Sequence, residues 1–208
     1  AITRFLIAKG AEVVVIACNT ATAAAVKYLR KKYPIPFVGM EPAIKPAALT
    51  SKTGVVGVLA TANTFKGSLY HNTLEKFASD VEVIEKVGEG LVEFVEGGLT
   101  DGPEVEKVLH RYVDPMLESG ADAIVLGCTH YPFLESAIRK IAGDGINIIN
   151  PAPAIALQTK RLLESIEERK PSSSQYLFYS TGDTSVMHSI VSKIVPSVPD
   201  QAFLTVEV

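Results

Sequence analysis

The chain has 208 residues, 47% of them hydrophobic and 21% charged, with a net charge of −3 and an isoelectric point near 5.9. That balance describes one large or two small globular domains with a sizeable core, and it gives no reason to expect nucleic acid or a membrane as partner. The longest apolar runs are strand-length, far short of the ~20 residues of a spanning helix. No signal-peptide pattern opens the chain, and two cysteines without a disulfide framework fit a reducing compartment, with the cytoplasm as the expected location.

In chain order, residues 1–9 read as the end of an amphipathic helix stopped by Gly10. Nothing in them caps a helix start, so the chain is expected to begin inside that helix, with a preceding strand missing from it. A strand over 12–17 leads to a helix over about 20–32, which Asn19 or Thr20 can cap. Pro34 and Pro36 open a short strand, FVGM, and Glu41-Pro42 is expected to start the next helix. VVGVLA (55–60) reads as a buried strand, followed by a strand-to-helix corner with Thr61 and Thr64 at its tip. VEVIEKV (81–87) is a strand, and a short helix ends at Gly97-Gly98. A helix from Pro103, capped by Asp101, precedes a second buried strand. Pro151 and Pro153 begin a helix running to about Glu168, and ERKPSSSQ (168–175) reads as a surface loop. YLFYSTGDTS (176–185) repeats the strand-then-threonine design of VLATANT, and a helix over 186–194 and an apolar segment near 202–206 finish the chain. Strands alternating with helices imply parallel, doubly wound sheets.

The chain also repeats itself. GAEVVVIACNTATAAAV (10–26) returns as GADAIVLGCTHYPFLES (120–136), aligning Gly10 with Gly120, Glu12 with Asp122 and Cys18 with Cys128, the only two cysteines. IPFVGMEPA (35–43) likewise lines up with INIINPAPA (146–154). Each cysteine follows an apolar run that reads as a strand buried on both faces, so each unit places one thiol at the end of a strand, where such sheets bind ligands. The connectivity predicts one domain from 43–150 and another from 1–42 plus 151–208, with the site between two pseudo-symmetric α/β units.

A lone cysteine after a buried strand is commonly a small core residue. Repetition at matched positions, each before a polar turn and a helix start, argues instead for chemistry. A helix N-terminus lowers a thiol pKa and offers N–H groups to a carboxylate. Asn19, Thr20 and Thr129 add side-chain donors. Cys128 and His130 alone are too sparse for a zinc site, so no metal is expected. No Cys-x-x-Cys pair and no phosphate-cradling glycine loop is present. Two thiols facing one pocket suit inversion at a carbon bearing an acidic hydrogen: one removes the proton and the other supplies one from the opposite side.

IACNTATAA (16–24), VGMEPAIKPA (38–47), GVLATANTFKGSLY (57–70), LVEFVEGG (91–98), VLGCTHYPFL (125–134) and STGD (180–183) together resemble glutamate racemase. The likeness runs over essentially the whole chain, and HYPFL after the second cysteine separates it from aspartate-racemase relatives. The resemblance implies a cofactor-independent bacterial isomerase supplying D-glutamate for peptidoglycan, hence for cell-wall biogenesis and cell shape. It implies catalytic roles for Cys18 and Cys128, with His130 and Glu96 as an imidazole–carboxylate pair beside the second thiol. Asn19, Thr20, Thr61, Thr64, Thr129 and His130 fall on substrate-binding positions. The partners expected are glutamate and a second copy of the chain in a homodimer. The family's N-terminal strand, its Asp-Ser-Gly turn and its Pro-Tyr-Gly loop have no counterpart here, so part of the expected substrate site is missing. A sister racemase acting on aspartate or a hydantoin, and a non-catalytic carboxylate-binding module, are the alternatives.

Overall fold

The computed structural model describes residues 1–166, 175–195 and 197–208; the expected surface loop 168–175 lies outside them except for Gln175. Both copies of the repeat stop a helix in the same way. Helix α1 (Ile2–Ala8) and the later helix α7 (Pro103–Glu118) are each followed by a glycine at positive φ, Gly10 at 87° and Gly120 at 86°. Gly10 N–H donates to Ile7 and Ala11 N–H to Leu6; Gly120 N–H donates to Leu117 and Ala121 N–H to Met116. This double closure satisfies the last helical carbonyls and needs a residue tolerant of the left-handed region.

The first copy continues through β1 (Val14–Ile16), α2 (Asn19–Lys32) and β2 (Phe37–Gly39), with β1 and β2 parallel. Then come α3 (Ile44–Thr50), β3 (Val55–Ala60), α4 (Ala62–Phe65), α5 (Ser68–Phe77), β4 (Glu82–Val87) and α6 (Leu91–Glu96). After α7 the second copy runs through β5 (Ala123–Leu126), a 3₁₀ turn (Tyr131–Leu134), α8 (Glu135–Ala142) and β6 (Asn147–Ile149). The chain then builds α9 (Ala152–Glu164), β7 (Phe178–Ser180), α10 (Ser185–Ile194) and β8 (Phe203–Thr205). The repeat extends to strand register: Val14 pairs with Phe37 as Ile124 pairs with Ile148, and Val15 with Val38 as Val125 with Ile149.

Strands β4-β3-β5-β6 form one parallel sheet, while β1–β2 and β7–β8 form two-stranded parallel sheets. The central sheet is covered on both faces. Val56, Val58, Ala60, Ala123 and Val125 pack toward Ile44, Ala47 and Tyr70 of α3 and α5. Leu59, Ile124 and Leu126 pack toward Leu91 and Val95 of α6 and toward α7 and α8. In α7 the buried Val105, Leu109, Val113 and Met116 recur at helical spacing, and each contributes about 1.5–3 kcal/mol by leaving water. Gly57 lets α7 approach, since a Cβ there would lie 2.5 Å from the Met116 sulfur. The terminal portions meet where Phe5 sets its ring edge-on to Tyr179, centroids 5.0 Å apart.

Four local expectations need correction. The strand of the first copy is not buried on both faces: Val14 is buried but Val15 is 38% exposed, because its side looks onto a groove toward α9 rather than a covering helix. Helix α3 starts at Ile44 with Ala43 as its cap, so Glu41-Pro42 precedes it instead of opening it. Gly102 caps α7, while Asp101 binds Lys140 at 2.7 Å. Helix α9 ends at Glu164, before Glu168, which lies outside the described residues. Among the described residues no helix is long and apolar enough to cross a membrane.

Candidate active site between the repeated thiols

Cys18 and Cys128 each stand two residues beyond the carboxyl end of a parallel strand, β1 and β5, and both are half-buried free thiols. Cys18 is the N-cap of α2, in extended backbone conformation, and its side chain makes no capping hydrogen bond. The capping role expected for Asn19 or Thr20 is therefore not taken, because the helix already begins at Asn19. Cys128 differs. Pro132 disfavours helical backbone at the preceding Tyr131, so a turn and a 3₁₀ segment intervene before α8 starts at Glu135.

Burial dominates the electrostatics at Cys128. Instead of the lowering expected at a helix start, burial pushes this thiol above its ordinary value. Backbone N–H groups of His130 and Tyr131 and the Thr129 hydroxyl oppose the rise, while negative charge on Cys18 adds to it.

The other site residues group around them. His130 directs Nδ1 to the Cys128 sulfur at 3.8 Å and Nε2 to Glu96 Oε1 at 3.3 Å. Thr61 caps α4, accepting from Thr64 N–H at 3.4 Å, and its hydroxyl lies 3.0 Å from that of Thr64. Thr64 Oγ1 is in turn 3.4 Å from Thr20 Oγ1, which brings threonines from both units together. Asn19 is buried, and its Nδ2 donates to the Gly127 carbonyl at 2.6 Å. Cys128 and Thr129 share a cavity of about 170 Å³ with Ala17, Met40, Asn150 and Pro151, residues from both copies. Among the described residues no group of three or more His, Cys, Asp or Glu side chains is arranged to hold a metal ion.

Sequence reasoning gave no role to Tyr131 or Tyr112, which support this site from behind. Tyr131 is fully buried and donates its hydroxyl to Gly88 O at 3.0 Å; Tyr112 donates to Glu89 O at 2.9 Å. Together they pin the loop that starts α6 and so place Glu96 at its end. The one available signal was Gly88, where a Cβ would lie 2.5 Å from the Tyr131 hydroxyl.

Residues 1–159 match the Asp/Glu/Hydantoin racemase family. A glutamate racemase of Ectopseudomonas mendocina is 45% identical over 192 residues, covering 91% of this chain and 73% of that protein. The chain belongs to the glutamate racemases of this family. A second glutamate racemase, from Roseiflexus, is 52% identical over 166 residues, covering 79% of this chain and 60% of its own length. The Escherichia coli glutamate racemase, solved with L-glutamate and the activator UDP-MurNAc-Ala, superposes with a TM-score of 0.82 at 29% identity, over 98% of this chain and 77% of that one. The chain thus spans roughly three fifths to three quarters of the glutamate racemases it matches, and its α/β architecture is theirs.

Proposed function

We propose that this chain carries the proton-transfer core of a cofactor-independent glutamate racemase, interconverting L- and D-glutamate and supplying the D form for peptidoglycan. The observation that carries this reading is the pair of half-buried free thiols at matched carboxyl ends of β1 and β5. Racemisation requires the α-C–H bond to break on one face and reform on the other. A thiolate takes the α-proton, forming an S–H bond and leaving the electron pair on the α-carbon, delocalised into the carboxylate. The opposite thiol then releases its proton to that carbon from the far side and becomes the thiolate. Nothing is oxidised or reduced, and the reverse reaction exchanges the two roles.

Each neighbour has a task in this scheme. Burial of Cys128 favours its neutral thiol, the form needed when it is the acid. Its N–H and hydroxyl neighbours ease conversion to thiolate when it is the base. His130, held by Glu96, assists proton movement at Cys128. Thr20, Thr61, Thr64 and Thr129 supply hydroxyls for the substrate's carboxylate and ammonium groups, with Asn19 beside them. We extend the proposal to a cytoplasmic homodimer whose units are 43–150 and 1–42 plus 151–208.

Turnover in deuterated water tests the mechanism. Starting from either pure enantiomer, the newly formed enantiomer carries one α-deuterium, since the delivering thiol exchanges with solvent. Aspartate and a hydantoin, run in parallel, turn over far more slowly than glutamate. Product formed without α-deuterium, or faster turnover of another substrate, defeats this assignment.

A further inference from the structure

The first turn of α2 reaches across to the other unit. Asn19 is only 4% exposed, and its Nδ2 donates to the Gly127 carbonyl at 2.6 Å, across 108 positions of sequence. A carbonyl can only accept, so chemistry fixes the amide orientation with nitrogen toward Gly127. The Asn19 Oδ1 is then buried without a hydrogen-bond partner among the described residues. A buried acceptor left unpaired is unfavourable, and the side chain is nevertheless turned to Gly127.

The acceptor is itself immobile. Gly127 N–H donates to Leu59 O at 2.7 Å. A Cβ at Gly127 would lie 2.7 Å from Ala60 Cβ and 3.1 Å from Leu59 O, so this backbone is pressed against β3. Its carbonyl is therefore a fixed point of the central sheet. Asn19 is chain neighbour to Cys18, and Gly127 is chain neighbour to Cys128. One hydrogen bond thus joins the two sulfur-bearing residues through a single peptide step at each end.

We infer that Asn19 is a positioning residue, a tether whose amide sets the spacing of the two thiols across the cleft. The inference rests on the two-thiol reading above but assigns Asn19 a task other than holding substrate. Inversion needs both sulfurs within reach of one carbon from opposite faces, and a misplacement of about 1 Å can cost ~10²-fold in rate. Thr20 and Thr64, 3.4 Å apart, offer only a longer contact between exchangeable hydroxyls and cannot replace the tether.

The test joins kinetics with a readout independent of activity. In the full protein, Asn19→Ala and the isosteric Asn19→Asp, which offers Gly127 no donor as a carboxylate, lower kcat about 10²-fold in both directions. KM changes less than threefold. Separately, bifunctional thiol reagents of graded length are applied, and the Cys18–Cys128 cross-link is scored by mass spectrometry. The unsubstituted protein favours one length, and both variants lose that preference while keeping their circular dichroism spectrum. A tenfold rise in KM with kcat retained, or an unchanged length preference, overturns the tether. Should Asn19→Ala fail to fold, Asn19→Asp decides alone. An unsubstituted protein that fails to racemise glutamate, yet shows an Asn19-dependent cross-link, overturns the racemase reading and supports the tether.

Discussion

His130 presents Nδ1 to the Cys128 sulfur at 3.8 Å, two residues back along the chain. Its other nitrogen lies 3.3 Å from Glu96 Oε1, so one ring links a carboxylate to one of the two thiols. At the position that matches His130 in the repeat, two residues after Cys18, stands Thr20. His130→Asn is expected to lower kcat by about 10²-fold, the scale of one acid–base group, in the direction in which Cys128 is the base and much less in the other. KM should follow kcat, so that kcat/KM falls equally both ways, as enantiomers of equal free energy require. Equal losses of kcat in both directions, measured by circular dichroism of the product, would assign His130 to substrate binding instead.

Glu96 gives a cleaner discrimination because it is half-exposed, at 52% for its side chain. A surface pair of this kind contributes about 0–1 kcal/mol to stability. Glu96→Gln should leave the melting temperature nearly unchanged while reproducing the directional bias of His130→Asn in weaker form. A variant that melts early with unbiased kinetics would make Glu96 a structural residue only.

Stability should fall on both sides of neutrality, through different residues. Burial pushes the Cys128 thiol and the Tyr131 and Tyr70 hydroxyls above their ordinary ranges, Tyr70 also through its hydrogen bond to Glu85. A group whose folded pKa is raised lends stability that is complete below its unfolded value, about 8.5 for a thiol and about 10 for a phenol, and that is lost as pH climbs through the folded value. Asp122 behaves in the opposite sense. Burial would raise it, but the Ser51 hydroxyl and the Lys52 and Thr53 amides outweigh that and hold it below its usual value. Its contribution is present above about pH 3.9 and disappears as pH falls further. Urea unfolding from pH 3 to 11 should show Tyr131→Phe flattening the alkaline limb and Asp122→Asn flattening the acid limb. Unaltered limbs would mean these groups titrate alike folded and unfolded.

Gly127→Ala tests how tightly the second cysteine strand is clamped. Its new methyl would meet Ala60 Cβ at 2.7 Å and the Leu59 carbonyl at 3.1 Å, neither of which is a flexible side-chain end. Overpacking of this kind costs about 1–3 kcal/mol. Denaturant unfolding should show that loss, and in a separate measurement the alkylation rate of Cys128 should change while that of Cys18 stays the same. A neutral substitution would show that β3 and β5 can separate freely.

Sequence carried the skeleton of the fold because its signals there are local. Gly10 and Gly120 announce helix stops since a left-handed residue is needed, and both adopt φ near 87° and 86°. The register of β1 on β2 and of β5 on β6 follows from the same repeat. What escaped reading depends on neighbours distant in sequence. VVVIA and AIVLG look alike as apolar runs, yet Val15 is exposed and Val125 fully buried; periodicity does not say what covers a strand. Asn19 looks like a helix cap or ligand donor until Gly127, 108 positions away, is brought to its amide. The altered setting of Cys128 was legible in principle, because Pro132 disfavours α-helical backbone at Tyr131, three residues after the thiol.

The two thiols should be separable by their stereochemical faces. Serine at Cys18 or at Cys128 keeps the shape but substitutes a group far less acidic than a thiol of pKa ~8.5, so either change should reduce racemisation to near zero. Each single variant retains one working thiol on one face of the substrate. A glutamate analogue with a leaving group at the β-carbon needs only proton removal from the α-carbon, after which the leaving group departs with its electron pair. Cys18→Ser should therefore process one enantiomer of such an analogue through Cys128, and Cys128→Ser the other through Cys18. Because only Cys128 has His130 and Glu96 beside it, the Cys18→Ser variant should also lose its residual elimination on adding His130→Asn, while Cys128→Ser should be insensitive to that change. The same enantiomer preferred by both serine variants, or full racemisation surviving in either, would refute opposed thiols as the proton-transfer pair.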